Sequence, residues 1–539
     1  MKEKVLYFYA VAALLLPNVG LCFTEGMGLW ACVANLVFPL GLAVCLLTVF
    51  RNPGKSVWMV FPFVFLAAFQ LVLLYLFGQG IISVDMFLNV VTSNSDEIRE
   101  LLDNLVPAVG SVFVIYLPLL VAAVWAWHGR HTLTVLFLRR ARQVGGVLVV
   151  AGTLCVEVAV RREGYCVSEQ LYPVNVCYNL GLALQRGYQQ LHYVEATAGY
   201  RFEARSEHPA DSTEVYVLVI GETARAHNFA LYGYRRDTNP RLSRQESLVA
   251  FSRVTTQSNT THRSVPMLLT AATATDYNRL YHEKGILAAF REAGFHTVFL
   301  SNQRRNHSII DFLGMQADEW VFLKEQKDAA DTDRSDEGLV DALDSVLAQG
   351  RTKEFVVLHT YGSHFNYRER YSREWAFFTP DDRAEAVAEN RSCLLNAYDN
   401  TLRFTDHLLH RIISLLQARG GLSAMLYTSD HGENIFDDDG SLFLHAGQKA
   451  SRYELHVPLL VWTSDSYNEL FPSEVQALQA NRERQVESSV STFHTLLQLG
   501  GVHTPVRADS LSLASGSFEE RPRSYVNDRN EALPIDVEL

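Results

Sequence analysis

The sequence predicts a chain in two parts, an N-terminal five-helix transmembrane domain followed by a C-terminal α/β domain with a mainly parallel central sheet. Three observations predict it. From Val5 to about Val160 the chain is dominated by Leu, Val, Phe and Ala with few charges, whereas beyond Arg161 the charged, amide and glycine content is that of a water-soluble enzyme. Through that second part, short β-rich runs alternate with helix-like stretches. At 539 residues the chain also exceeds one ordinary hydrophobic core.

Crossing a bilayer takes about 20 helical residues. Five apolar stretches reach that length: Val5 to Phe23, Leu29 to Phe50, Val57 to Phe77, Pro107 to Trp127 and Gln143 to Val160. Lys2 and Lys4 before the first run imitate a secretion signal, but four further spans follow and no small-residue cleavage site is evident, so this helix is expected to be retained. Basic residues in short loops set the orientation. Lys2 and Lys4, Arg51 and Lys55, and Arg130, Arg139, Arg140 and Arg142 fall on one side if the N terminus is cytoplasmic, outnumbering Arg161 and Arg162 on the other. An odd number of spans then places everything after Val160 outside. The expected division is residues 1–160 for the membrane domain, 161–210 for a bridging segment and 211–539 for the soluble domain.

Ser168 to Tyr200 mixes Leu, Tyr and Val at near-helical spacing with Gln and Arg, the pattern of an amphipathic helix along a membrane surface. The formal charge of −12 excludes a general nucleic-acid binder, which needs a basic face. Cysteines 22, 32, 45 and 155 lie in apolar runs and read as buried thiols. Cys166 and Cys177 are then the pair able to meet outside the membrane.

The soluble part opens on Val215 to Ile220, and similar runs recur at Thr297 to Leu300, Glu354 to Leu358, Ala424 to Tyr427 and Val457 to Trp462. Helix-like stretches such as Gly285 to Ala293 and Ala384 to Leu416 lie between them, the alternation of a sheet covered on both faces. Ligands gather at the carboxyl ends of such strands, and three strand ends carry polar clusters: Gly221-Glu-Thr-Ala-Arg225, Tyr361-Gly-Ser-His364 and Ser429-Asp-His-Gly-Glu-Asn434. Ser258 to Pro266 is rich in hydroxyls ahead of an apolar helix, and His445 follows the third cluster after an acidic loop. Taken singly these are modest signals, because strand-end carboxylates often cap helices. Their joint occurrence points to a metal, since carboxylate and imidazole are the ligands that hold zinc or manganese.

On these motifs the soluble half resembles the alkaline-phosphatase and sulfatase superfamily, and nearly the whole chain resembles the membrane phosphoethanolamine transferases that modify lipopolysaccharide, including the colistin-resistance enzymes. The resemblance rests on Gly-Glu-Thr-Ala-Arg, on Thr261-x-x-Ser-Val-Pro266, on Gly-Ser-His at 362 to 364, on Tyr398-Asp-Asn-Thr401, on Ser-Asp-His-Gly-Glu at 429 to 433 and on His445. It implies a sulfatase-like fold and a zinc ion held by Glu222, Thr261, Asp430 and His431, with Thr261 also the nucleophile. Thr261 is preferred to Thr260 for its spacing to Ser-Val-Pro. His364 and His445 are expected at the same centre, as ligands of the phosphoryl oxygens, as proton donors, or around a second zinc. Asn89 and Glu97 match the residues that relatives place near the lipid headgroup.

The resemblance further implies a phosphatidylethanolamine donor, lipid A, lipopolysaccharide core or another envelope glycan as acceptor, action as a monomer, and a place in the inner membrane of a Gram-negative bacterium with the catalytic domain in the periplasm. A phosphoglycerol transferase and a catalytically dead membrane scaffold are the alternatives. Two departures stand out. Where relatives brace the nucleophile loop with a disulfide this chain has Ser258, Asn259 and Met267, so packing must hold the loop. The family's phosphate-binding lysine is replaced within Ser301 to His307, which offers Arg304, Arg305 and His307. No Cys/Ser-x-Pro-x-Arg element occurs, which disfavours sulfate-ester hydrolysis.

Overall fold

The protein is described here by a computed structural model covering residues 2–77, 80–92, 95–209, 211–326, 335–440, 442–447 and 449–536. The chain divides into two compact units, one formed by Met1–Val91 with Ser95–Arg186 and the other running on from Gly187 to Leu539.

The first unit is helical: α1 (Lys2–Thr24), α2 (Leu29–Leu46), α3 (Pro53–Met59), α4 (Phe61–Phe77), α5 (Val84–Thr92), α6 (Ser95–His128) and α7 (Val135–Glu163). Local chemistry sets several boundaries. Asn52 caps α3 by accepting from Lys55 N at 3.0 Å, with Pro53 at the first helical position. Thr134 caps α7, and Gly164 ends it at φ 65°.

Among the described residues, α1, α2, Val106–His128 of α6, and α7 are each long and apolar enough to cross a membrane. The expected span from Val57 to Phe77 is instead a bent pair, Pro53–Met59 and Phe61–Tyr75 meeting at 64°, so the count is four, or five if the pair is one span. The last span also starts earlier than the apolar run suggests. Arg139, Arg140 and Arg142 sit inside α7, because arginine is a good helix former and Thr134 nucleates the turn before them. Arg142 donates to Thr48 O at 2.6 Å. The expected surface helix is broken at Leu171–Pro173 into Val167–Gln170, Val174–Leu191 and Tyr193–Thr197.

The second unit is built on a seven-stranded sheet. Its strands are β1 (Glu214–Gly221), β2 (Leu248–Phe251), β3 (His296–Ser301), β4 (Glu319–Phe322), β5 (Lys353–His359), β6 (Leu422–Ser429) and β7 (Leu459–Thr463), in the spatial order β2-β7-β6-β1-β5-β3-β4. The five strands from β6 to β4 are parallel, whereas β7 runs antiparallel to both its neighbours. Every residue of β1, β5 and β6 is buried, the signature of a central parallel sheet with both faces covered. On one face Leu218, Ile220, Phe290, Phe355 and Phe493 join one core. On the other Val217, Val219, Val356 and Met425 pack with Leu409, Ile413 and Leu416 of the helix Arg391–Arg419. The carboxyl ends of β1, β5 and β6, three adjacent strands, therefore open at one edge. That edge carries the site.

Candidate metal centre and nucleophile

β1 delivers Glu222 and β6 delivers Asp430 and His431, and all three side chains are buried. One ligand atom from each lies within 4.8 Å of the others, the one such cluster of three among the described residues. The two oxygens of Asp430 differ. Oδ1 accepts from Thr223 N at 3.0 Å and from His431 N at 2.7 Å, whereas Oδ2 is buried without a hydrogen-bond partner and faces His431 Nε2 at 3.3 Å. His431 Nδ1 donates to Gly432 O at 2.9 Å, which leaves the Nε2 lone pair directed into the cluster.

Thr261, the first residue of the helix Thr261–Leu269, completes the group. Its hydroxyl donates to Glu222 Oε1 at 3.1 Å and lies 3.2 Å from His431 Nε2. Thr260 faces the other way, with Oγ1 3.2 Å from Ser258 Oγ.

The electrostatics are those of a site built for added positive charge. Burial, and then the charge of Asp430, push the Glu222 carboxyl above its ordinary range; burial raises Asp430 and lowers His431. An orphaned carboxylate oxygen, a second buried carboxylate, an imidazole held in the ligating tautomer and a hydroxyl form a set that fits a zinc-like dication.

The two further histidines reach the same edge. His445 lies with its ring centroid 4.1 Å from that of His431 and 6.5 Å from that of His364. Its Nδ1 faces Glu433 Oε1 at 3.1 Å, and Glu433, fully buried, also accepts from Tyr367 Oη at 2.6 Å. His364 donates through Nδ1 to Phe365 O at 2.6 Å and stacks on Tyr361. Burial first, then a neighbouring imidazole, holds His445 down at about 4. Gly362 lets this loop approach β1, since at φ 50° a Cβ there would stand 2.7 Å from Glu222 O.

Several participants carried no role in the sequence reading. Gln303 Nε2 reaches Glu222 Oε2 at 3.3 Å and Thr360 O at 3.1 Å, so Ser301 to His307 touches the cluster through Gln303. Arg305 lies over Trp320 and Phe322, and His307 is exposed. Glu433 was visible in Ser-Asp-His-Gly-Glu, but its partner His445 is twelve residues on. His262 acts on His445 electrostatically.

The bracing of the nucleophile loop is also explicit. Ser264 and Thr256 hydroxyls both contact Asp430 O, and Asn259 Nδ2 donates to Glu454 Oε1 at 2.9 Å. Arg263 donates to Asn527 O and Asn530 Oδ1, both at 2.7 Å, and to Asp528 O at 2.9 Å, gripping the tip of a C-terminal hairpin. The Tyr398-Asp-Asn-Thr401 element is a scaffold: Tyr398 Oη donates to Thr223 O and accepts from Arg225 N, while Thr401 Oγ1 donates to Ser363 Oγ. The Asn89 and Glu97 side chains lie outside the described residues, and Cys166 and Cys177 are free thiols.

A parallel sheet with a buried Glu–Asp–His cluster and a threonine at its carboxyl edge, on a chain that also carries membrane-length helices, defines a membrane protein with an α/β phosphatase-like centre. The chain belongs to the sulfatase family, which it matches over residues 214–502. It is 31% identical over 296 residues to phosphoethanolamine transferase EptA of Escherichia coli K12, covering 53% of each protein, so the chain spans about half the length of the curated relatives it matches. The fold of the integral membrane lipooligosaccharide phosphoethanolamine transferase A of Neisseria meningitidis is similar over 95% of this chain and 98% of that one, with a TM-score of 0.76 and 21% identity. The C-terminal periplasmic domain of Escherichia coli EptC, solved in complex with Zn, aligns over 61% of this chain and 94% of its own, with a TM-score of 0.56 and 23% identity.

Proposed function

We propose that this chain transfers phosphoethanolamine from phosphatidylethanolamine to lipid A or the lipopolysaccharide core, by double displacement through Thr261. The observation that carries the reading is the Thr261 hydroxyl lying 3.1 Å from Glu222 and 3.2 Å from His431 in the buried cluster. Likeness to a curated phosphoethanolamine transferase supports the reaction; with the bent pair counted as one span, the basic residues of the membrane half support a cytoplasmic N terminus and a second unit in the periplasm.

Glu222, Asp430, His431 and Thr261 would hold one zinc ion. Bound there, the ion lowers the proton affinity of the threonine hydroxyl and offsets charge on the phosphoryl oxygens. Thr261 Oγ1 attacks the donor phosphorus, a Thr–O–P bond forms, and the P–O bond to diacylglycerol breaks. The threonine proton is accepted at Glu222 Oε1, and the departing alkoxide takes one from His445 Nε2, which Glu433, kept protonated by burial, replaces at Nδ1. In the second half, the acceptor oxygen attacks the phosphorus and the Thr261 Oγ1–P bond breaks; the acceptor's proton passes to His445 and Glu433, and Glu222 returns its proton to Thr261, as microscopic reversibility requires. Glu433 positions His445, and His364 with Tyr361 forms the opposing wall; both histidines are assigned to the phosphoryl oxygens and the leaving oxygen.

Donor lipid supplied without acceptor is expected to leave phosphoethanolamine on Thr261, found by peptide mass spectrometry. Thr261→Ala should lose both label and transfer, while Thr260→Ala keeps the adduct. A modified Thr260, or an active Thr261→Ala enzyme, would refute the nucleophile. Labelling by phosphatidylglycerol instead would make the chain a phosphoglycerol transferase.

A further inference from the structure

Asn18 and Asn35, both fully buried, tie α1 to α2. Asn18 Nδ2 donates to Asn35 O at 2.9 Å and to Asn35 Oδ1 at 3.1 Å, and Asn35 Nδ2 donates back to Asn18 O at 3.3 Å. The two helices are joined by the short turn Glu25–Gly28 and so run antiparallel. Contact at 18 and 35 must then bring together the residues one turn onward in α1 and one turn back in α2, because positions three and four apart share a helix face. Those residues are Cys22 and Cys32.

The contacts agree. Cys22 Sγ lies 3.7 Å from Cys32 O, Cys32 Sγ lies 3.8 Å from Cys22 O, and Asn35 Nδ2 lies 3.7 Å from Cys22 Sγ. Each thiol thus reaches the other residue's backbone. Both are half-buried. The pair sits at the end of the hairpin opposite Lys2 and Lys4. On the orientation proposed above, on which this inference rests, that end faces the oxidising side of the membrane.

We propose that Cys22 and Cys32 form a disulfide in the mature protein, stapling the outer ends of α1 and α2. The reaction is thiol–disulfide exchange with an external disulfide. The thiolate of one cysteine attacks that disulfide to give a mixed disulfide, and the second cysteine displaces the remaining thiol. One S–S bond forms in the chain as one breaks in the oxidant, which leaves as two thiols carrying the two electrons and two protons. Cys166 is the competitor for a disulfide, but its thiol is engaged with Ser168 Oγ at 3.4 Å.

The test is peptide mass spectrometry of the full chain, purified from membranes in N-ethylmaleimide without reductant. The expected result is a linked peptide joining residues 22 and 32, lost on reduction. It should also be lost in Cys22→Ser, which frees Cys32 for alkylation, and should survive in Cys166→Ser. Cys22 and Cys32 both recovered as alkylated thiols, or a link from either to Cys166, would overturn the proposal. A membrane-impermeant maleimide on intact cells then tells the two failures apart. Labelling of free Cys22 or Cys32 from outside keeps the orientation and rejects only the disulfide, whereas labelling confined to broken cells rejects the orientation as well.

Discussion

Asp430 divides its carboxylate between two tasks, and the division is what suits the centre to a metal ion rather than to capping a strand end alone. Oδ1 is saturated by two backbone amides, while Oδ2 stays buried with no donor. Leaving such an oxygen unsatisfied costs about 1–3 kcal/mol, more when charged, so a cation is the partner that balances it. Burial pushes Glu222 and Asp430 up and His431 down, so a cation that needs both carboxylates charged competes with protons, and metal uptake should release them. Asp430→Asn presents an amide where the ion would sit. Elemental analysis of the purified variant should show zinc falling from about one per chain to background, with the thermal unfolding midpoint little changed; full zinc content would remove Asp430 from the ligand set. Glu222, Thr261, Asp430 and His431 were legible because each sits inside a short strand-end motif. The contacts of Gln303, Glu433 and Arg263 were not, because a role that consists of touching a distant residue leaves no local pattern.

Among the elements, the α2–α7 pair shows how glycine sets helix approach within the membrane unit. A Cβ on Gly41 would lie 2.6 Å from Val149 N, one on Gly145 would lie 2.6 Å from Cys45 Sγ, and one on Gly152 would lie 2.6 Å from Phe38 Cα. The backbones are in direct contact, as small residues allow between membrane helices. Gly152→Val should therefore force the helices apart at a cost of about 1–3 kcal/mol, read as a lower unfolding midpoint in detergent. Gly146→Val, where a Cβ meets nothing within 4 Å, is the control that should stay near wild type. Strand prediction succeeded where the runs were long and apolar, as in β1, β5 and β6. β2 and β4 escaped it, since four-residue strands carry too few side chains to show a period. The long helix expected from Ala384 begins at Arg391, after a 3₁₀ turn at Ala388–Asn390. Its acidic approach had helical composition, but the tertiary fold sets where it begins.

At the scale of the whole molecule, the proposal joins a lipid-facing unit to a catalytic one. Glu97 and Asn89 belong to the first as the expected contacts of the donor headgroup, a carboxylate and an amide suited to an ammonium group. Glu97→Ala should then reduce transfer from phosphatidylethanolamine about ten-fold or more, the size of a lost charge-assisted hydrogen bond. Zinc content and hydrolysis of a small soluble phosphodiester should hold. Equal losses with lipid and soluble substrate would place Glu97 outside donor recognition.

By itself, the sequence determined what depends on composition and on short spacing: membrane-length apolar runs, alternating strands and helices, and the strand-end motifs that carry Glu222, Asp430 and His431. These are legible because hydrophobic burial and local turn chemistry act within a few residues. The tertiary structure alone decided which oxygen of Asp430 is left without a donor, that Glu433 meets His445, and that Cys22 and Cys32 face one another's backbone. Each depends on a distance between residues far apart in sequence or on neighbouring helices, and such distances are set by packing, which no local pattern records.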